Sequence, residues 1–208
     1  MPNNDDLLAL PVGQFIDAIA AKTPTPGGGS VAGVVGAMAV ALAEMALNFT
    51  QGKKKYAKHE EFHAHLAARL RKMRGMFQDL VADDISAYGL YQETTRREDG
   101  PEKDTAMQLA LAAAIDVPRE AAKLSLALLE DLQAFADKCS PYLISDLAAA
   151  AALAAATARL SDYNVRVNVP QVADAAGADE VRRSSADDLA KAGQLLTSIE
   201  QSIGKHLQ

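Results

Sequence analysis

Between Ser30 and Thr50 the chain carries a single charged residue, Glu44, in a run that reads SVAGVVGAMAVALAEMALNFT. A helix that is apolar all round has no face to turn to water, so it belongs at the buried centre of a bundle. Gly29, Gly33, Gly36 and Ala37 leave one side of it bare, and another backbone can approach closely there. The segment before it, Thr23-Pro24-Thr25-Pro26-Gly27-Gly28-Gly29, holds two prolines and three glycines, which forbid regular helix. Gln51-Gly52 stops the run on the other side, and Lys53, Lys54, Lys55 and Tyr56 follow.

Helical spacing recurs through the rest of the chain. A short helix is expected from Pro11, with Val12, Phe15, Ile16 and Ile19 on one face. A long one is expected from Lys58 to Thr95, where Phe62, Leu66, Leu70, Met73, Phe77, Leu80, Tyr88 and Tyr91 recur at the steps of a bundle seam. Asp99-Gly100-Pro101 opens a fourth helical stretch, which Pro118 should kink or divide; beyond it Ala121, Leu124, Leu128, Leu132 and Phe135 form the stripe. Ser140-Pro141 is an N-cap and first-turn pair for a fifth, alanine-rich helix. Pro170 and Gly177 mark the next break, and Val181, Leu189, Ala192, Leu196, Ile199, Ile203 and Leu207 line the last helix. No strand-like alternation persists. The expected fold is all-α, one domain over residues 1–208, an antiparallel up-and-down bundle of about five main helices with a Gly-rich loop before the second.

Composition agrees. Aromatics are 5% of residues, Trp is absent and alanine is abundant, which suits closely packed helices better than a β-sandwich core. A net charge of −6 argues against non-specific binding to nucleic acid or an anionic membrane. The one cysteine, Cys139, has no internal partner, which points to a reducing compartment and a cytoplasmic location. The acidic start MPNNDDLLAL lacks the basic region of a secretory signal, and the Ala/Leu run at 147–156 is too short to span a bilayer.

Several motifs carry chemistry. GGGSVAG has neither the spacing of a dinucleotide fingerprint nor the Gly-Lys-Ser/Thr of a P-loop. Three glycines opening a helix nevertheless expose N–H groups at the positive end of the dipole, a place suited to an anion or a polarised carbonyl. A tight turn with close helix contact is the structural alternative. His59-Glu60-Glu61-Phe62-His63 matches the zinc-protease pattern H-E-x-x-H, but it sits at a charged helix start with no third histidine at the metzincin spacing, so no metal site is assigned. Lys53, Lys54 and Lys55 are either a solvated helix end or a receptor for a polyanion.

Asp84 is the sharpest anomaly. Four residues on from Leu80 the seam should place a leucine, and it places a carboxylate; four more gives Tyr88. Burying a charge costs several kcal/mol unless it is paired, so such a group is either a partner in a buried salt bridge or hydrogen bond, or a functional acid with a shifted pKa. Asp83 faces elsewhere. Asp146, after Ser145, opens the fifth helix and can serve as its cap, while Asn164 and Asn168 lie one turn apart near its end and can simply terminate it.

PTPGGGS at 24–30, GKKKY at 52–56, VADDISAY at 81–88, ISD at 144–146 and NVRVN at 164–168 occur in that order. Together they resemble the formiminotransferase-cyclodeaminase C-terminal domain family, which includes formimidoyltetrahydrofolate cyclodeaminase and a methenyltetrahydrofolate cyclohydrolase. The likeness runs over about residues 8–205, weakest around Asp99-Gly100-Pro101. It implies a homodimeric helical bundle that binds folate near the subunit interface, with Asp84 as the catalytic acid/base and no cofactor beyond the folate itself. On that resemblance Gly27, Gly28, Gly29 and Ser30 position the folate or a developing oxygen. Lys53 and Lys54, beside Tyr56, hold a glutamate tail, which can be polyglutamylated. Ser145, Asp146 and Asn164 bind the pterin or orient Asp84. The transferase partner of the bifunctional relatives is not in this sequence, which inclines the expectation to cyclohydrolase, with cyclodeaminase and a non-catalytic folate-binding or interaction module as alternatives.

Overall fold

The computed structural model describes residues 7–204. Leu207 and the first six residues of the acidic N-terminus lie outside that range. Six α-helices follow one another: α1 (Val12–Ala20), α2 (Gly28–Asn48), α3 (Glu60–Thr95), α4 (Pro101–Phe135), α5 (Ile144–Asn168) and α6 (Ala175–Ile203). No strand occurs among the described residues. Helices α2 to α5 pack in chain order, α5 closes the ring against α2, and α6 lies on α4 and α5.

The core is built from the expected seams. Leu66, Leu70, Met73, Phe77 and Leu80 of α3 meet Leu128, Leu132 and Phe135 of α4, Leu147 of α5 and Ile199 of α6, all buried in one cluster. The α2 glycines determine how near α3 can come. A Cβ on Gly33 would lie 2.6 Å from a methyl of Val81, and one on Gly36 would overlap the Phe77 ring. Two segments, Gly28–Asn48 and Pro141–Gln171, reach the length and hydropathy of a membrane span. Both are packed in the bundle, where they form its α2–α5 contact.

Some boundaries differ from expectation. Helix α2 begins at Gly28, so two of the three consecutive glycines belong to its first turn and the preceding loop ends at Gly27. A 3-10 turn, Lys54–His59, precedes α3. Ser140 provides no side-chain cap: its N–H donates to Thr50 Oγ1 at 3.0 Å, and a 3-10 turn, Pro141–Leu143, leads into α5. Gly177 lies inside α6 instead of marking a break. Its bare Cα makes room for the carboxylate of Asp174, which caps α6 by accepting from the Ala176 N–H at 3.1 Å. Pro118 does not divide α4, for a reason found in the site.

The H-E-x-x-H pattern is absorbed by packing. His63 is buried, its Nε2 lies 3.2 Å from the Lys138 carbonyl oxygen, and its ring meets Phe135 edge-on. Burial pushes its pKa below the ordinary histidine value. It is a core histidine.

Two glycines of similar helical setting should respond oppositely to alanine. Gly36→Ala drives a methyl into Phe77 and should lower stability by about 1–3 kcal/mol. Gly75 has open space around its Cβ position, so Gly75→Ala should raise stability by roughly 0.5–1 kcal/mol. Urea unfolding midpoints of the two variants measure both.

Candidate functional site

Asp84 lies in the middle of α3, facing the first turn of α2. Ser30 Oγ donates to Asp84 Oδ2 at 2.7 Å, joining residues 54 apart in sequence. Gly29 makes this approach possible, because any Cβ there would overlap the Asp84 carboxylate. The side chain is half-buried, and no cation is paired with it among the described residues. Desolvation raises its pKa above the ordinary aspartate value, and the hydrogen bond from Ser30 holds it back down. Of the two structural alternatives for Asp84, the buried salt bridge is absent among the described residues, and the helix-to-helix hydrogen bond is present, from Ser30.

The carboxylate borders a cavity of about 260 Å³ between α3, α4 and α5, whose walls include Tyr88, Tyr91, Pro118, Asn164 and Asn168. Tyr91 donates to Gln171 Oε1 at 3.0 Å, and the Tyr88 hydroxyl accepts from Gln92 at 2.7 Å, so both rings are fixed. Asn164 anchors through its Nδ2, which donates to the Leu160 carbonyl at 2.9 Å. Pro118 explains itself here. A proline cannot donate to the carbonyl four residues back, so the Ala114 oxygen is released from the α4 ladder. Asn168 Nδ2 donates to that oxygen at 3.2 Å. The proline's defect is satisfied by an asparagine from α5, and the joint forms one wall of the cavity.

The expected site residues fall into two groups. Gly27 caps α2, Gly28 lies against the Asn164 side chain, and Gly29 and Ser30 meet Asp84, so these five positions and Asp84 cluster at one end. Lys53, Lys54 and Tyr56 lie beyond the other end of α2, roughly 30 Å away at 1.5 Å per residue. There Lys53 and Lys54 are exposed, and Lys55 reaches over the Tyr56 ring. Ser145 and Asp146 open α5, about 27 Å along that helix from Asn164. Within one chain they cannot orient Asp84, which corrects that expectation.

Tyr88 and Tyr91 were legible only as seam residues, and Asn168 only as a helix end. Ser161 was not singled out at all. It is wholly buried, and its hydroxyl has no hydrogen-bond partner among the described residues. The available signal was the spacing of Thr157, Ser161, Asn164 and Asn168, a polar stripe along an otherwise alanine-rich helix.

Residues 11–187 match the formiminotransferase-cyclodeaminase family. The chain belongs to that family. It is 35% identical over 91% of its length to a methenyltetrahydrofolate cyclohydrolase of Methylorubrum extorquens, covering 93% of that protein. It is 29% identical to a formimidoyltransferase-cyclodeaminase of Sus scrofa over 85% of this chain, but spans only 34% of that longer protein. A crystal structure of formiminotetrahydrofolate cyclodeaminase from Thermotoga maritima superposes with a TM-score of 0.82 at 29% identity, covering 97% of each chain.

Ser30→Ala removes the hydrogen bond that favours ionised Asp84, so the Asp84 pKa should rise further. If catalysis needs the carboxylate, the acid limb of the pH–rate profile should move to higher pH while the alkaline limb stays. A carboxyl whose folded pKa is raised contributes stability below its unfolded pKa and loses it as pH climbs through the folded value. Ser30→Ala should therefore steepen the loss of stability on going from acid to neutral pH, measured by urea unfolding across that range.

Proposed function

We propose that this protein hydrolyses 5,10-methenyltetrahydrofolate to 10-formyltetrahydrofolate, with Asp84 as its acid/base. The observation that carries this is a desolvated carboxylate on the wall of a cavity, held by Ser30 and with no cationic partner among the described residues. A purely structural role for Asp84, in a salt bridge or in the hydrogen bond from Ser30 alone, would need no space beside it, and the cavity is that space. The substrate's one-carbon bridge is a delocalised cation. An anionic Asp84 stabilises that charge and accepts a proton from the attacking water. The same proton, returned to N5, opens the ring. Tyr88 and Tyr91 offer flat walls for the pterin, and the N–H groups of Gly28, Gly29 and Ser30 at the start of α2 suit a developing oxygen. No cofactor beyond the folate enters this scheme.

The cyclodeaminase reaction is the second reading, and the Thermotoga neighbour favours it. Both reactions pass through a tetrahedral centre at the same carbon, and a carboxylate beside that carbon serves either. Cyclohydrolase is favoured by the 35% identity to the Methylorubrum enzyme, over 91% of this chain and 93% of that protein.

A cytoplasmic homodimer completes the proposal. Helix α1 has no buried residue although Val12, Ile16 and Ile19 share its apolar face, and Met38 of α2 and Phe49, its C-cap, are more than half exposed. A second copy running antiparallel along α2 would cover such a stripe. It would also bring Lys53, Lys54, Tyr56, Ser145 and Asp146 toward the partner's cavity, where the lysines would meet the carboxylates of a glutamate tail. Light scattering should give twice the chain mass, and a monomer would refute this arrangement.

Purified protein should bleach methenyltetrahydrofolate absorbance and release no ammonia from formiminotetrahydrofolate. Ammonia release would transfer the assignment to cyclodeaminase. Asp84→Asn should fold with undiminished stability at neutral pH, since it removes a half-buried charge, and should lose on the order of 10²- to 10⁴-fold in kcat. A variant that folds and retains most activity would remove Asp84 from the mechanism.

A further inference from the structure

Beneath the main cavity lies a second space of about 10 Å³, bounded by Gly29, Leu80, Asp84, Pro118, Ser161 and Asn164. Asp84, Val117, Pro118 and Asn164 line both, so the two spaces adjoin. The smaller one has the volume of a single water-sized site.

Ser161 gives this space its chemistry. Inside a helix a serine or threonine hydroxyl ordinarily turns back on its own backbone and donates to the carbonyl four residues earlier. Ser86, Thr94, Ser125 and Thr157 all do so here, at 2.8 to 2.9 Å. Two other hydroxyls turn instead to a carboxylate, Ser30 to Asp84 and Ser185 to Asp162. Ser161 does neither. Its Oγ is the one buried side-chain polar atom without a hydrogen-bond partner among the described residues, and Ser161 lines the small space. Leaving a buried hydroxyl unpaired is unfavourable, so a site with this shape and polarity calls for a small hydrogen-bonding occupant. The Asp84 carboxylate and the Asn164 side chain are on its other walls, which gives a water the polar partners it needs.

We propose that Ser161, Asp84 and Asn164 hold the hydrolytic water between the floor of the cavity and the folate, with Ser161 as the residue that positions it. This rests on the hydrolase reading above and adds where the water comes from. The water's oxygen forms a bond to the bridge carbon, and the π-electron pair of that carbon's C=N bond moves onto nitrogen. The proton leaves to Asp84. Asp84 then returns it to N5 as the carbon–N5 bond breaks, and the hydroxyl of the adduct loses its proton to solvent as the formyl C=O forms. One water is consumed and one proton is released, which balances conversion of a cation to a neutral product. Water held on the Asp84 side attacks with its proton already directed at the base; Ser161, which lines only the smaller space, fixes that orientation without touching the folate, with Asn164 beside it.

Ser161→Ala and Ser161→Thr test this. The alanine variant should lose on the order of 10²-fold in kcat, the cost of a misplaced nucleophile, with KM for methenyltetrahydrofolate unchanged. The threonine variant keeps the hydroxyl and should recover much of the rate. A high-resolution crystal structure of the wild-type protein should show an ordered water within hydrogen-bond distance of both Ser161 Oγ and Asp84, lost in Ser161→Ala. An alanine variant with wild-type kcat, or a wild-type crystal with no water on Ser161, overturns the proposal. A wild-type protein that shows the water yet hydrolyses no methenyltetrahydrofolate defeats the hydrolase reading and the water's hydrolytic role, while leaving the water site itself established. An alanine variant that loses stability and KM together would mark Ser161 as structural only and would also refute the role.

Discussion

The hydrogen bond from Ser30 to Asp84 ties the start of α2 to the middle of α3, and the site depends on how close those helices come. Closeness there is a matter of missing atoms. Gly29 leaves room for the carboxylate, Gly33 for Val81 and Gly36 for the Phe77 ring, one helical turn after another along the same face. The glycines weaken the intrinsic helix, by roughly 1 kcal/mol each relative to alanine, and the loss is offset by burying α2 in the bundle. One row of small residues therefore has two consequences. It packs the core, and at its N-terminal end it places a hydroxyl and a helix N-terminus beside an acid.

The electrostatics of Asp84 follow from this placement. A carboxylate surrounded by apolar helices resists ionisation, and a single donor from Ser30 partly reverses that. No arginine or lysine completes the neutralisation among the described residues. The proposed substrate would supply the missing positive charge, which it carries on the carbon that reacts. Binding and activation would then draw on the same interaction, provided the charge is dispersed again as the adduct forms.

Much of this was legible in the sequence, and the limits have physical causes. The helices α2 to α6 were visible because apolar residues recur at 3- and 4-residue steps and because the breakers Gly52, Gly100 and Pro170 fall between them. Pro118 does not divide α4 and Gly177 does not break α6, because what accommodates each is elsewhere: the Ala114 carbonyl released by the proline is met by Asn168, and Gly177 makes space for a capping carboxylate. Asp84 was found by periodicity, since one charge in an apolar stripe is a local signal. Its partner Ser30 was marked only as part of the glycine loop, because a contact between residues 54 apart leaves no trace in spacing. Ser161 escaped for the opposite reason: serine in a helix is so ordinary that only its failure to bond its own backbone makes it notable.

The two groups of expected residues lie at opposite ends of one chain, and helix length alone makes them so. Helix α2 has 21 residues, which puts the Lys53 end roughly 30 Å from the Ser30 end. A folate with an extended tail has charged groups at a distance from its pterin, so a protein that recognises both needs either a second feature near Asp84 or a second copy of itself. The described residues offer no lysine or arginine on the walls of the Asp84 cavity. Antiparallel pairing of two α2 helices resolves this with no added residue, because a two-fold axis across the middle of the helix exchanges its ends. The apolar positions that pairing would need, Met38 at the centre and Phe49 at one end, are the ones α2 leaves exposed. An all-round apolar helix would then be buried on every side after all, by its own bundle on one and by its copy on the other.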